Sequence, residues 1–141
     1  MNPGGPLLPV VKPLVLCEDV LTTPGRENVH LINVFTIIRS RTSPPFPYRK
    51  RLICVYAQLS DAEGEIPTWV EVVEASSQQT LLRTAVHLVV FPHRRMLHRV
   101  IYRIQQCPFP RPGTYLVQLF GAGYFLADQV FHVLGPGAAH E

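Results

Sequence analysis

The chain has 141 residues, 47% of them hydrophobic, a formal charge of +3 and a pI near 9.0. That is the length of one domain with enough apolar residues for a core, which excludes a disordered polymer. Fourteen prolines (about twice the usual share of roughly 5%), nine glycines and no run of helical periodicity exclude long helices and predict an all-β chain.

Residues 1–12 form a Pro/Gly-rich leader, expected to be flexible. With no basic start and no small-residue cleavage site, it does not read as a signal peptide, and no apolar run is long enough to span a membrane. Pro13 to Val20 is a first strand, with proline at its permitted first position. Breakers from Thr22 to Asn28 make a turn. Val29 to Arg39 is a continuous β-branched run, the composition of a strand near the middle of a sheet. Ser40 to Lys50 carries three prolines in four residues and is excluded from regular structure. Arg51 to Leu59 is a third strand, and Ser60 to Ile66 an acidic turn around Gly64. Pro67 to Ala75 is a fourth, marked as an edge by its proline and glutamates. Thr80 to Phe91 is a fifth, with Leu82, Val86, Leu88 and Val90 on an apolar face and Arg83 and His87 on the other. After a turn at Pro92 to Arg95, Met96 to Gln106 is a sixth, with Val100, Tyr102 and Ile104 sharing a face. Cys107 to Gly113 crosses over to a closing hairpin, Pro112 to Val133, which turns at Gly121-Ala122-Gly123. Residues 135–141 are a flexible tail. About eight strands at this spacing predict a single-domain, two-sheet antiparallel β-sandwich of immunoglobulin-like type over residues 13–134, with a small barrel as the alternative. Tyr115 sits where such sandwiches place a tyrosine corner.

Chemistry-bearing residues fall into a few groups. The stretch Arg39 to Arg51 holds Arg39, Arg41, Arg49, Lys50 and Arg51 with Phe46 and Tyr48 on a proline-stiffened scaffold. It suits an acidic partner or exposed bases, and its PPFP suits polyproline II recognition. The plainer reading is a rigid crossover whose two aromatics cap the core. Arg94, Arg95, Arg99 and Arg103, with His93 and His98, form a second basic group, plainly read as a solvated sheet face. Arg99 and Arg103 share a face roughly 13 Å apart. The histidines are a poor metal pair, with no acidic or cysteine partner near them in sequence. Asp61, Glu63, Glu65, Glu71 and Glu74 segregate negative charge, a pattern that suits self-association, while a calcium loop would need more ligands at fixed spacing. Cys17, Cys54 and Cys107 fit neither a zinc pattern nor a disulfide framework and read as buried thiols in a reducing compartment. Carboxylates beside Cys17 would raise its pKa, and no catalytic or cofactor fingerprint is present.

The segments Leu16-Cys17-Glu18-Asp19-Val20, Leu31-Ile32-Asn33-Val34-Phe35 and Phe109 to Val133 resemble a family of short, uncharacterised bacterial proteins known only as a domain of unknown function. The resemblance covers roughly residues 13 to 134 and implies a fold but no activity. A weaker likeness to immunoglobulin domains rests on Cys54, Trp69 and Tyr115. Val117 stands where their second cysteine would be, so no inter-sheet bridge is implied.

The expectation is a non-catalytic cytoplasmic protein without cofactor, metal or membrane, acting through an unknown protein partner or as a homo-oligomer. The alternative is nucleic-acid binding through Arg39, Arg41, Arg49, Lys50, Arg51, Arg94, Arg95 and Arg99, with Phe46 and Tyr48 beside them. A third reading is a small-ligand or carbohydrate module using an exposed shelf of Trp69, Tyr56 or Tyr102.

Overall fold

β-Branched and aromatic residues alternate with polar ones between proline and glycine breaks, and the computed structural model folds them into ten strands. It describes residues 8–25 and 28–137. Residues 1–7 of the expected leader, Arg26 and Glu27 of the first turn, and 138–141 of the tail lie outside the described residues. The strands are β1 (Val10–Thr22), β2 (Val29–Val34), β3 (Ile37–Arg39), β4 (Tyr48–Ser60), β5 (Gly64–Glu74), β6 (Thr80–Arg83), β7 (His87–Phe91), β8 (His98–Phe109), β9 (Gly113–Gly121) and β10 (Tyr124–Leu134). Among the described residues no helix is long and apolar enough to cross a membrane.

Two sheets form, ordered β2-β1-β4-β8 and β3-β10-β9-β5-β6, with β7 also on β5; neither closes into a barrel. Between them Ile53, Val55, Ala57 and Leu59 of β4 and Val100, Tyr102 and Ile104 of β8 meet Val70 and Val72 of β5, Val117 and Leu119 of β9 and Val133 of β10. Each such side chain contributes roughly 1.5–3 kcal/mol relative to exposure. Phe109, Tyr115 and Phe131 close one end of this core with ring centroids 4.9–5.8 Å apart. The Tyr115 hydroxyl donates to the Arg111 carbonyl four residues upstream, the bond of a tyrosine corner.

The departures from expectation have local causes. Val29 to Arg39 is not one mid-sheet strand. Asn33 takes a left-handed φ of 52°, which asparagine tolerates better than branched residues, and the chain then changes sheets. The Phe35 amide still donates to the Leu16 carbonyl of β1, whereas the Thr36 carbonyl already accepts from His132 of β10. β2 and β3 are therefore edges of opposite sheets, and β3 runs parallel to β10, the one parallel pair among the described residues.

Nor is β5 an edge, for it lies between β9 and the β6–β7 side. Pro67 is tolerated because its backbone faces the hairpin turn: its carbonyl accepts from Ala122, past the last β5–β9 pair at Thr68 and Gly121.

Thr80 to Phe91 splits at Thr84, so Val89 and Phe91 turn inward while Val86, Leu88 and Val90 are exposed, the reverse of the expected face. β1 begins at Val10, inside the expected leader, and passes Pro13 through a register shift against β4 between Val11 and Leu14. Tyr48 to Lys50 join β4 rather than the loop, and Cys107 to Phe109 extend β8.

Candidate functional site

β4 and β8 pair over almost their whole length, from Tyr48 opposite Phe109 to Leu59 opposite His98, a ladder about 36 Å long at the usual rise. Strict alternation points Leu52, Cys54, Tyr56 and Gln58 of β4, and Arg99, Ile101, Arg103 and Gln105 of β8, to the outer face. Gln106, at φ 54°, interrupts the alternation, so Cys107 and Phe109 return to the core while Arg49 and Arg51 stay exposed. Neither strand contains an aspartate or glutamate. Nine of the chain's thirteen cations lie on this ladder or in the loops at its ends, so the positive charge is concentrated here.

Beneath the arginines Cys17, Val20, Cys54 and Tyr56 form a small apolar cluster with Leu52 and Ile101 against it. Cys17 lies directly opposite Cys54, which lies opposite Arg103. Burial, then the neighbouring Cys54, pushes the Cys17 thiol up to about 11. Burial also raises Cys54, against the pull of Arg103. Both thiols are free and neutral, which removes them as nucleophiles near neutral pH.

At one end of the ladder the loop after β3 is held by short bonds. The Ser40 hydroxyl donates to the Pro45 carbonyl at 2.7 Å, its amide to Leu134 at 2.8 Å, and Arg39 Nη1 to the Gly135 carbonyl at 3.0 Å. Gly135, assigned to the tail, is thus fastened to β3. Phe46 and Tyr48 pack on the core edge, as the plainer reading expected. Thr42, Pro44, Pro47, Tyr48, Arg49 and Pro108 line a cleft of about 450 Å³. Arg49 donates to the Gln106 carbonyl at 3.3 Å, Arg41 and Arg51 are exposed, and Lys50 is half-buried.

Arg94 and Arg95 are exposed in the turn at the far end, so they do not join Arg39 and Arg41. Arg99 and Arg103 bridge that gap: Arg103 lies three rows from Arg51, and Arg99, opposite Gln58, seven rows or roughly 23 Å. Charge is not segregated as expected either. Gly64 pairs with Phe91 and Leu59 with His98, which sets the Asp61–Glu63 turn beside the His93–Arg95 turn. Glu74 leaves the acidic group altogether, its nearly covered carboxylate held by Arg111 at 2.6 Å, which lowers its pKa. His98 stacks edge-on against Phe91, away from the exposed His93.

The aromatics of the ligand reading make no shelf. Tyr56 and Tyr102 are buried. Trp69 stacks on Phe120 at 5.4 Å from the β9 side, with the Arg83 guanidinium over its ring at 4.4 Å from the β6 side. What the sequence reasoning missed is around it: Phe125, Val86, Leu88 and Val90 are exposed on the same outer face of the six-stranded sheet. Val86, Leu88 and Val90 were legible as one apolar face; that this face is exposed was not.

No match is found among curated proteins. Among solved structures, the chain is similar to a Pseudomonas fluorescens alkylpurine DNA glycosylase, AlkC, bound to DNA containing an abasic site analog, with 11% identity and a TM-score of 0.54. The match covers 91% of this chain but 31% of that one, so the domain spans about a third of the glycosylase chain and the likeness is one of fold. A family model matches residues 12–134, nearly the whole sandwich, and the chain belongs to that family, a family of unknown function (DUF6941).

Proposed function

We propose that the domain is a non-catalytic nucleic-acid-binding module that contacts phosphates along the outer face of the β4–β8 ladder. The observation that carries this is the acid-free pair of neighbouring strands presenting Arg49, Arg51, Arg99 and Arg103 in one row. Arginine forks suit phosphate oxygens, and the Tyr48 cleft at the end of the row offers an aromatic ring beside Arg49 for an unstacked base. The fold likeness to part of a chain solved on DNA supports the reading without assigning it.

The test is fluorescence anisotropy of labelled single-stranded DNA, RNA and duplex between 50 and 200 mM salt. Four phosphate contacts on a single strand predict a log–log slope near −2.8, about a 50-fold loss of affinity over that range. Arg51→Gln, Arg99→Gln and Arg103→Gln should each flatten the slope by about 0.7. Absence of binding at the lowest salt, slopes unmoved by the three substitutions, or equal binding to polyglutamate would each overturn it.

A second reading, contact with another protein, is favoured by the exposed apolar residues on the outer face of the six-stranded sheet.

A further inference from the structure

The strand β7 carries an inference that does not depend on nucleic-acid binding. It pairs with β5 on one side, and no other described strand pairs with it. Which of its backbone groups are open follows from Pro67, which lies opposite Leu88 and turns its carbonyl to Ala122 on the β9 side. Leu88 therefore sits in a non-hydrogen-bonded pair, so its own N–H and C=O point out from the sheet, and those of Val90 do likewise two residues on. These are also the residues whose side chains are exposed: Leu88 by 51%, Val90 by 46%, and Val86 just before them by 58%. From Thr84 to Phe91 there is no charged residue, proline or glycine. Edge charge and edge proline, two usual protections of a sheet edge, are therefore missing from this segment.

We infer that β7 is a self-pairing edge, which joins β7 of a second copy antiparallel about a two-fold axis at Leu88. That register sets Leu88 against Leu88 of the second copy and Val90 against its Val86, so the open backbone groups find partners and the exposed side chains form cross-strand apolar pairs. Glu65 pairs with Val90 at one end of the edge, and Arg83 precedes the strand at the other. The two-fold carries Arg83 of each copy toward the end of its mate that holds Glu63 and Glu65 beside the mate's own His93–Arg95 turn. A continuous sheet then runs through both copies, with the two Trp69–Phe120–Phe125 bands on one side.

Light scattering of the full chain from micromolar to millimolar concentration should show the mass rising from 15.9 kDa toward twice that value. Val90→Lys places a charge on an already exposed position. It should leave the circular dichroism and melting temperature unchanged and keep the chain monomeric throughout. Leu88→Cys should give a covalent dimer with oxidised glutathione as electron acceptor, since hydrogen-bonded pairs hold Cα atoms about 5.5 Å apart, within disulfide reach. Leu97→Cys, in the exposed turn beyond, should not. A monomer at millimolar concentration, a dimer that survives Val90→Lys, or cross-linking no faster at Leu88 than at Leu97 would overturn the proposal. So would a chain that pairs this edge only with an extended peptide of another protein.

Discussion

The slip between β6 and β7 depends on Thr84, and Thr84→Val tests it with no change of shape. The Thr84 amide donates to the Val70 carbonyl at 2.9 Å, and its hydroxyl accepts from the Val70 amide at 3.0 Å. A side-chain oxygen thus stands in for the backbone acceptor that a regular ladder would supply, which frees the chain to slip by one position after it. Val70 is fully buried, so valine at position 84 leaves its N–H with no acceptor and no water. An orphaned buried donor costs about 1–3 kcal/mol, and the isosteric swap opens no cavity to add to that. At a urea m-value of about 2 kcal/mol/M the midpoint should fall by roughly 0.5–1.5 M. The melting temperature should fall by roughly 3–15 °C. Thr84→Ser keeps the acceptor and loses one methyl, and should stay within about 1 kcal/mol of the parent. Hydrogen exchange at the Val70 amide should quicken in the valine variant alone. Equal stability of the valine and serine variants would refute the reasoning.

Other outcomes follow from the same contacts. A Cβ on Gly121 would lie 2.7 Å from Leu126 Cδ1, so Gly121→Ala should destabilise the hairpin by roughly 1–3 kcal/mol, and Leu126→Ala should relieve much of that added cost in the double variant, as a thermal-melt cycle would show. Burial holds Cys17 up to about 11 and Cys107 up to about 12. Their neutral forms are the ones the fold favours, so that part of the stability is complete below pH 9 and is lost as pH climbs through these values; a thiol reagent at pH 8 should label either one only on unfolding. Arg111 and then Ser77 lower Glu74, so its contribution is present above the ordinary carboxylate pKa and is lost as pH falls through the lowered value. Glu74→Gln should therefore melt with a flatter acid limb, and an unchanged limb would count against the ion pair.

What was legible in the sequence follows the places where alternation runs unbroken. Val100, Tyr102 and Ile104 face the core and Arg99 and Arg103 face out because β8 keeps its period over that stretch. Tyr115 was legible because a Pro-Gly turn fixes where its strand begins. The breaks were not legible, since each depends on a partner distant in the chain. A threonine hydroxyl replaces a carbonyl only once Val70 lies beside it, and Pro67 marks an edge only if its bare side faces a strand. The basic row had the same difficulty. Arg51 and Arg103 were each visible, but in separate groups, and only the pairing of β4 with β8 sets them three rows apart.

The parallel pairing of β3 with β10 has a consequence for synthesis. Ile37 waits for His132, nearly a hundred residues downstream. Once Ser60 has left the ribosome, β1, β2 and β4 can already form three strands of the smaller sheet. The facing sheet is complete only when the chain has emerged as far as Leu134, about 4–15 s later at ordinary translation rates. Until β5 and β9 have emerged and paired, Ile53, Val55, Ala57 and Leu59 stand uncovered on one side of a half-built fold. A message truncated before β10 leaves β3 without its partner and takes Phe131 and Val133 out of the core.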